Sequence, residues 1–253
     1  MDNKLLRACL AELIGTFALV FVGGGVVCAA ALAGQPRLDA TAIALAEGLT
    51  LAVVLTATHR ASGGGLNPAL TIMLWVFRRI DGRKLIGFVV AQLLGGILAG
   101  LCIRILFPYY LGETHLGTPH LRAFAPDGLD HVVPFAGILS GVGVEIFFTC
   151  LLAFAFYATM LDRRSPPFGG LFVGLAQAAV ILFGYNLTGG AANPARWLGT
   201  VLWEMTLVPR PFELLSSDHL VYWVGPILGA LLGGFLYVFV MQPPEDEGRP
   251  EKR

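Results

Sequence analysis

Apolar residues in this chain come in long blocks, and polar residues gather between the blocks rather than alternating within them. Six blocks lie at about 9–32, 40–59, 85–107, 134–160, 168–186 and 219–241. Each has about the ~20 residues that a helix needs to cross a hydrocarbon core. Two more blocks, about 67–77 and 193–203, have half that length. Eleven helical residues rise only ~16 Å against a core of ~30 Å, so two such pieces entering from opposite faces complete one crossing between them. The pattern predicts an all-α integral membrane protein with six transmembrane helices and two re-entrant half-helices, forming a single domain over 1–253. The first block follows Lys4 and Arg7 and runs on past the length of a signal-peptide core, so it is expected to be a retained helix.

The short blocks begin alike. Leu66-Asn67-Pro68-Ala69 follows Ser62-Gly63-Gly64-Gly65, and Ala192-Asn193-Pro194-Ala195 follows Thr188-Gly189-Gly190, 126 residues later in a chain of 253. Asn is a good N-cap, and Pro suits the first helical position, where no N–H is needed. The glycines permit irregular backbone, which membrane depth tolerates only beside a cavity or buried in protein. The spacing indicates an internal duplication, with repeats at about 9–107 and 134–241. Glu12 and Glu145 occupy equivalent places in the first helix of each repeat.

Charge sets an orientation. With the N-terminus in the cytoplasm and six helices alternating, twelve Lys and Arg fall inside: Lys4, Arg7, Arg60, Arg78, Arg79, Arg83, Lys84, Arg163, Arg164, Arg249, Lys252 and Arg253. Five fall outside: Arg37, Arg104, Arg122, Arg196 and Arg210. This follows the positive-inside rule, places both termini in the cytoplasm and makes the repeats inverted. The connection at about 108–133 is then external, and the charged tail 242–253 is predicted to be disordered.

Composition agrees with the membrane class. The chain is 56% hydrophobic and 13% charged, where a soluble domain carries about 25% charged residues. Formal net charge is zero, which leaves no general basic patch for nucleic acid. Cys9, Cys28, Cys102 and Cys150 lie in or beside apolar blocks without a CxxC partner, and read as small hydrophobes. No His set with metal spacing, Ser–His pairing or cysteine nucleophile is evident along the chain, so the expectation is no enzyme, no cofactor and no metal.

The two Asn-Pro-Ala triplets, Glu12 and Glu145, Ala91-Gln92-Leu93-Leu94-Gly95 and Tyr222-Trp223-Val224-Gly225-Pro226 together resemble the aquaporin, or major intrinsic protein, family over almost the whole chain. The resemblance implies a pore between the half-helices, with Asn67 and Asn193 donating hydrogen bonds to permeating water beside Pro68, Ala69, Pro194 and Ala195. Both helix N-termini, each with about half a positive charge, would face its centre and repel protons and cations. It implies that Glu12 and Glu145 anchor the re-entrant loops, and that four such chains form a homotetramer in a cell membrane (plasma or inner). Four positions would form the selectivity constriction: Glu47, Ile181, Gly190 and Arg196.

Water-selective members typically have Phe and His at the first two of these positions, and glycerol-conducting members Trp and a small residue. This chain follows neither pattern. Glu47 and Arg196 are expected to pair as carboxylate and guanidinium. Tyr222-Trp223 is similar to the water-channel pattern, whereas Trp197 fits neither branch and Gly65 stands where a His is usual. The reading is passive conduction of water and small uncharged solutes. A glycerol-type facilitator, and a coupled transporter built on the same kind of inverted repeat, stay open at this point.

Overall fold

The computed structural model describes residues 3–34, 39–109, 114–124, 133–207 and 218–242. The tail from residue 243, most of the 204–218 connection and parts of 108–133 lie outside the described residues, as do Arg37, Arg210, Arg249, Lys252 and Arg253. The described residues form α1 (Asn3–Leu32), α2 (Ala40–Ser62), α3 (Pro68–Val76), α4 (Gly82–Leu106), α5 (Phe135–Phe156), α6 (Gly169–Gly184), α7 (Pro194–Glu204) and α8 (Gly225–Leu236). π-turns lengthen α5 to Leu161 and extend α8 into one helix, Leu220–Met241.

Among the described residues, five helices are long and apolar enough to cross a membrane. The sixth, α6, has 16 residues and is shorter than the 168–186 block predicts. It stops because the N–H groups of Leu187, Thr188 and Gly189 all turn back to the Gly184 carbonyl, 2.9–3.0 Å away. That tight turn feeds the second re-entrant loop directly. The π-turn before Pro226 also has a local cause. Proline offers no N–H and crowds the carbonyl four residues back, and a widened turn relieves both.

Each half-helix starts as the capping chemistry demands. Asn67 (φ −154, ψ 120) and Asn193 (φ −155, ψ 112) are extended, their side chains accept from the N–H of Ala69 and Ala195, and Pro occupies the first helical position of α3 and α7. The two helices have 9 and 11 residues, ~14 and ~16 Å, and together span about one hydrocarbon core.

Packing repeats across the duplication. α1 packs on α4 as α5 packs on α8, and α2 packs on α6 across the divide. Each half-helix also lies on the last helix of the other repeat, α7 on α4 and α3 on α8. The α4–α7 approach is close enough that a Cβ on Gly199 would sit 2.5 Å from the Gly96 carbonyl oxygen. The outside is apolar in turn. Ile14, Val53, Ile86, Phe147, Phe183 and Phe235, one from each of the six long helices, are all about half or more exposed. Such a surface suits lipid rather than water.

Candidate functional site

The two re-entrant loops meet at the centre and hold each other. Asn67 Nδ2 donates to the Ala192 carbonyl at 2.7 Å, and Asn193 Nδ2 donates to the Leu66 carbonyl at 3.0 Å. Each Asn oxygen is already taken by its own cap, Ala69 N–H and Ala195 N–H, both at 2.9 Å. That network fixes the sense of each amide: oxygen toward its own helix, nitrogen across the divide. An amide nitrogen carries two hydrogens, so each Asn keeps one donor beyond the bond it makes. Leu66 (φ 55) and Ala192 (φ 46) adopt left-handed backbone, rare for side chains with a Cβ, and so aim these two carbonyls at the opposite loop.

Two buried glutamates hold that strained backbone. Glu12 Oε2 accepts from Leu66 N–H at 2.9 Å and from the Gln92 amide of α4. Glu145 accepts from Ala191 N–H at 3.2 Å, Ala192 N–H at 2.8 Å and the Thr188 hydroxyl at 2.6 Å. The lead-ins match as well: Ser62 and Thr188 each accept from the N–H two residues on, Gly64 at 3.1 Å and Gly190 at 3.3 Å. In the second loop, Tyr222 on the last helix donates to the Thr188 carbonyl at 2.6 Å.

A narrow cavity of about 10 Å³, about the room one water needs, runs past both Asn side chains. Its lining includes Glu47, Asn67, Gln177, Asn193 and Arg196, with Leu19, Leu152 and Val173 supplying apolar wall. At one end Arg196 Nη2 donates to Glu47 Oε1 at 2.8 Å and to the Gly117 carbonyl at 3.0 Å, and its Nε lies 3.2 Å from the same Glu47 oxygen. Both side chains are about 5% exposed. The pair fits because α1 presents glycine there: a Cβ on Gly23 would stand 2.5 Å from Glu47 Oε1 and 2.9 Å from Arg196 Nε. Arg196 Nη1 is buried with no hydrogen-bond partner among the described residues.

Of the four predicted constriction positions, the structure brings Glu47 and Arg196 together in the cavity wall. Ile181 is fully buried in a cluster with Val27, Ile43 and Ala44, and neither it nor Gly190 is in that lining. They adjoin each other instead, with the Ile181 Cα 3.3 Å from where a Gly190 Cβ would be. Gln177, one helical turn before Ile181, faces the cavity and was not singled out in the sequence. It stands on the same face of α6 at four-residue spacing, which is the signal that would have found it.

Sequence reading also missed a histidine cluster. The chain order shows no metal spacing, yet His115, His120 and Glu204 come together with ligand atoms within 4.8 Å of one another, because the 114–120 segment folds onto the last turn of α7. Burial alone would lower the His120 pKa, but the Glu204 and Asp218 carboxylates outweigh it and push the value up to about 9.

Six apolar helices around two half-helices that meet N-terminus to N-terminus beside a cavity define a membrane channel of the re-entrant-helix class. The chain matches the Major intrinsic protein family over residues 1–237 and belongs to that family. Aquaporin TIP4-4 of Zea mays is 38% identical over 242 residues, covering 93% of this chain and 87% of the relative. Aquaporin Z of Photorhabdus laumondii is 32% identical over 235 residues, covering 92% and 96%. The fold is that of the aquaglyceroporin from Plasmodium falciparum, with a TM-score of 0.78 at 21% identity over 93% of this chain and 96% of that one. The protein is therefore a multi-pass membrane channel and not an enzyme.

Proposed function

We propose that the chain conducts water and small uncharged solutes passively through a pore formed within each subunit, and excludes protons and other cations. The observation that carries this is the buried Arg196 Nη1, a donor without a partner among the described residues, in a side chain that lines the cavity. A buried donor left unsatisfied costs about 1–3 kcal/mol, which a passing oxygen atom relieves and an ammonium or sodium ion does not. Deeper in, the spare N–H of Asn67 and of Asn193 offers two further donors beside the N-termini of α3 and α7. Each terminus carries about half a positive charge, so the middle of the path favours oxygen lone pairs and disfavours cations.

The permeant range is read from the Glu47–Arg196 pair. The carboxylate cancels much of the arginine's field and adds an acceptor, so this end of the path can both donate and accept. Water, glycerol and urea all offer both kinds of group. The relatives named aquaporins support water, and the polar pair with Gln177 supports small polyols or amides beside it. The chain acts as one unit of two inverted repeats, with both termini on the cytoplasmic side of a plasma or inner membrane, and assembles as a homotetramer.

Stopped-flow light scattering on proteoliposomes tests this. Vesicles should shrink several-fold faster than protein-free ones in an impermeant osmolyte, and re-swell faster in glycerol or urea. A proton gradient should drive no solute accumulation. If neither water nor any neutral solute moves faster than through lipid alone, the channel reading fails; accumulation against a gradient would replace it with coupled transport.

A further inference from the structure

The histidine cluster lies where α7 ends, at the opposite end of that half-helix from Asn193, and none of its side chains lines the central cavity. His115 Nδ1 is 2.6 Å from Glu204 Oε1, and His120 Nε2 is 3.0 Å from both Glu204 oxygens. The two imidazoles meet edge to face with centroids 5.6 Å apart. Asp218 Oδ2 sits 3.3 Å from the other ring nitrogen of His120, Nδ1. We propose that His115 Nδ1, His120 Nε2 and a Glu204 carboxylate oxygen form a binding site for a divalent transition-metal ion of the Zn²⁺ type.

The donor set is the first argument. Two imidazole nitrogens and one carboxylate oxygen suit zinc, which takes four tetrahedral ligands and often leaves one of them to water. Bonds of ~2.0–2.1 Å place tetrahedral ligand atoms ~3.3 Å apart. The present N···O separations of 2.6–3.0 Å would need to open by about 0.3–0.7 Å, and all three ligand atoms already lie within 4.8 Å of one another. Asp218 supplies the next requirement. A carboxylate on the non-ligating nitrogen fixes the ring and makes the ligating nitrogen a better donor.

Charge and access agree. Two carboxylates face two imidazoles in a buried setting, an acceptor-rich arrangement that suits a cation between them. Glu204 and His120 are each 1% exposed, but the His115 side chain is 27% exposed, which gives an ion a way in. The backbone is also held for this geometry. His115, Leu116 and Gly117 are consecutively left-handed (φ 50, 55 and 65), and Leu116 is fully buried. The same turn thus presents one ligand to Glu204 and the Gly117 carbonyl to Arg196. Strain of this kind persists only where its surroundings over-determine it.

Metal binding is the readout, so the test stands whatever the channel conducts. The full chain in detergent micelles is titrated with Zn²⁺ by calorimetry and with Co²⁺ by visible absorption. One ion per chain is expected, with Co²⁺ d–d bands of a nitrogen–oxygen site that Zn²⁺ abolishes. His115→Ala, at the most exposed ligand, should weaken binding at least ~10-fold without altering the elution profile. Glu204→Gln provides a second variant with the same expected loss. Lack of saturable binding overturns the site, as does binding that neither variant weakens. A Co²⁺–thiolate charge-transfer band would do so too, by moving the ion to a cysteine.

Discussion

At the scale of single residues, the proposed selectivity turns on a pair of opposite charges that share one oxygen. Glu47 Oε1 takes both Nε and Nη2 of Arg196, and the backbone of Gly23 lies against them. An uncompensated arginine in a cavity this narrow would present a full charge to every permeant. With Glu47 beside it, the same site offers neutral hydrogen-bond chemistry. Glu47→Phe should therefore do two things. The ring fills space beside the guanidinium, so glycerol and urea flux should fall severalfold relative to water in the proteoliposome assay. Removing one member of a buried pair also costs about 3–5 kcal/mol, so the thermal midpoint in detergent should drop. An unchanged solute-to-water ratio would take Glu47 out of the permeation path.

At the scale of elements, the half-helices depend on absent side chains as much as on present ones. Gly199→Val would drive a branched side chain into the Gly96 carbonyl and push α7 off α4, at a cost of about 1–3 kcal/mol. Folded yield and thermal midpoint should both fall. Gly143 on α5 has nothing within 4 Å of a built Cβ, so Gly143→Val should behave as the parent, and equal damage from both would refute the close-packing account. The elements themselves were legible in the sequence because each obeys a local rule: block length for the long helices, Asn-Pro caps for α3 and α7, and repetition for the symmetry. The Glu47–Arg196 contact was legible only through family spacing, since 149 residues separate its members. The early end of α6 was hidden because three N–H groups converging on one carbonyl leave no compositional trace. Gln177 was within reach of helical spacing from Ile181, whereas the His115–His120–Glu204 cluster was hidden because the connection that carries both histidines follows a path set by tertiary packing, not by periodicity.

At the scale of the whole molecule, the proposed pore would have all of its parts inside one chain. Both Asn donors, the glutamates that brace their loops, the Glu47–Arg196 pair and the apolar wall are joined by contacts within 253 residues. Assembly would then stabilise four parallel paths rather than create one shared path. The apolar residues on every long helix give ample surface for subunit contact as well as for lipid. Native mass spectrometry from detergent should accordingly find a species of four 27.0 kDa chains. The sharper measurement mixes parent chains with a blocked variant such as Val173→Trp, whose indole would fill the cavity beside Gln177. If each chain carries its own pore, water flux through co-assembled tetramers falls in direct proportion to the blocked fraction. A pore shared among subunits would give a steeper loss, approaching the fourth power of the parent fraction, because one blocked chain would disable the whole assembly.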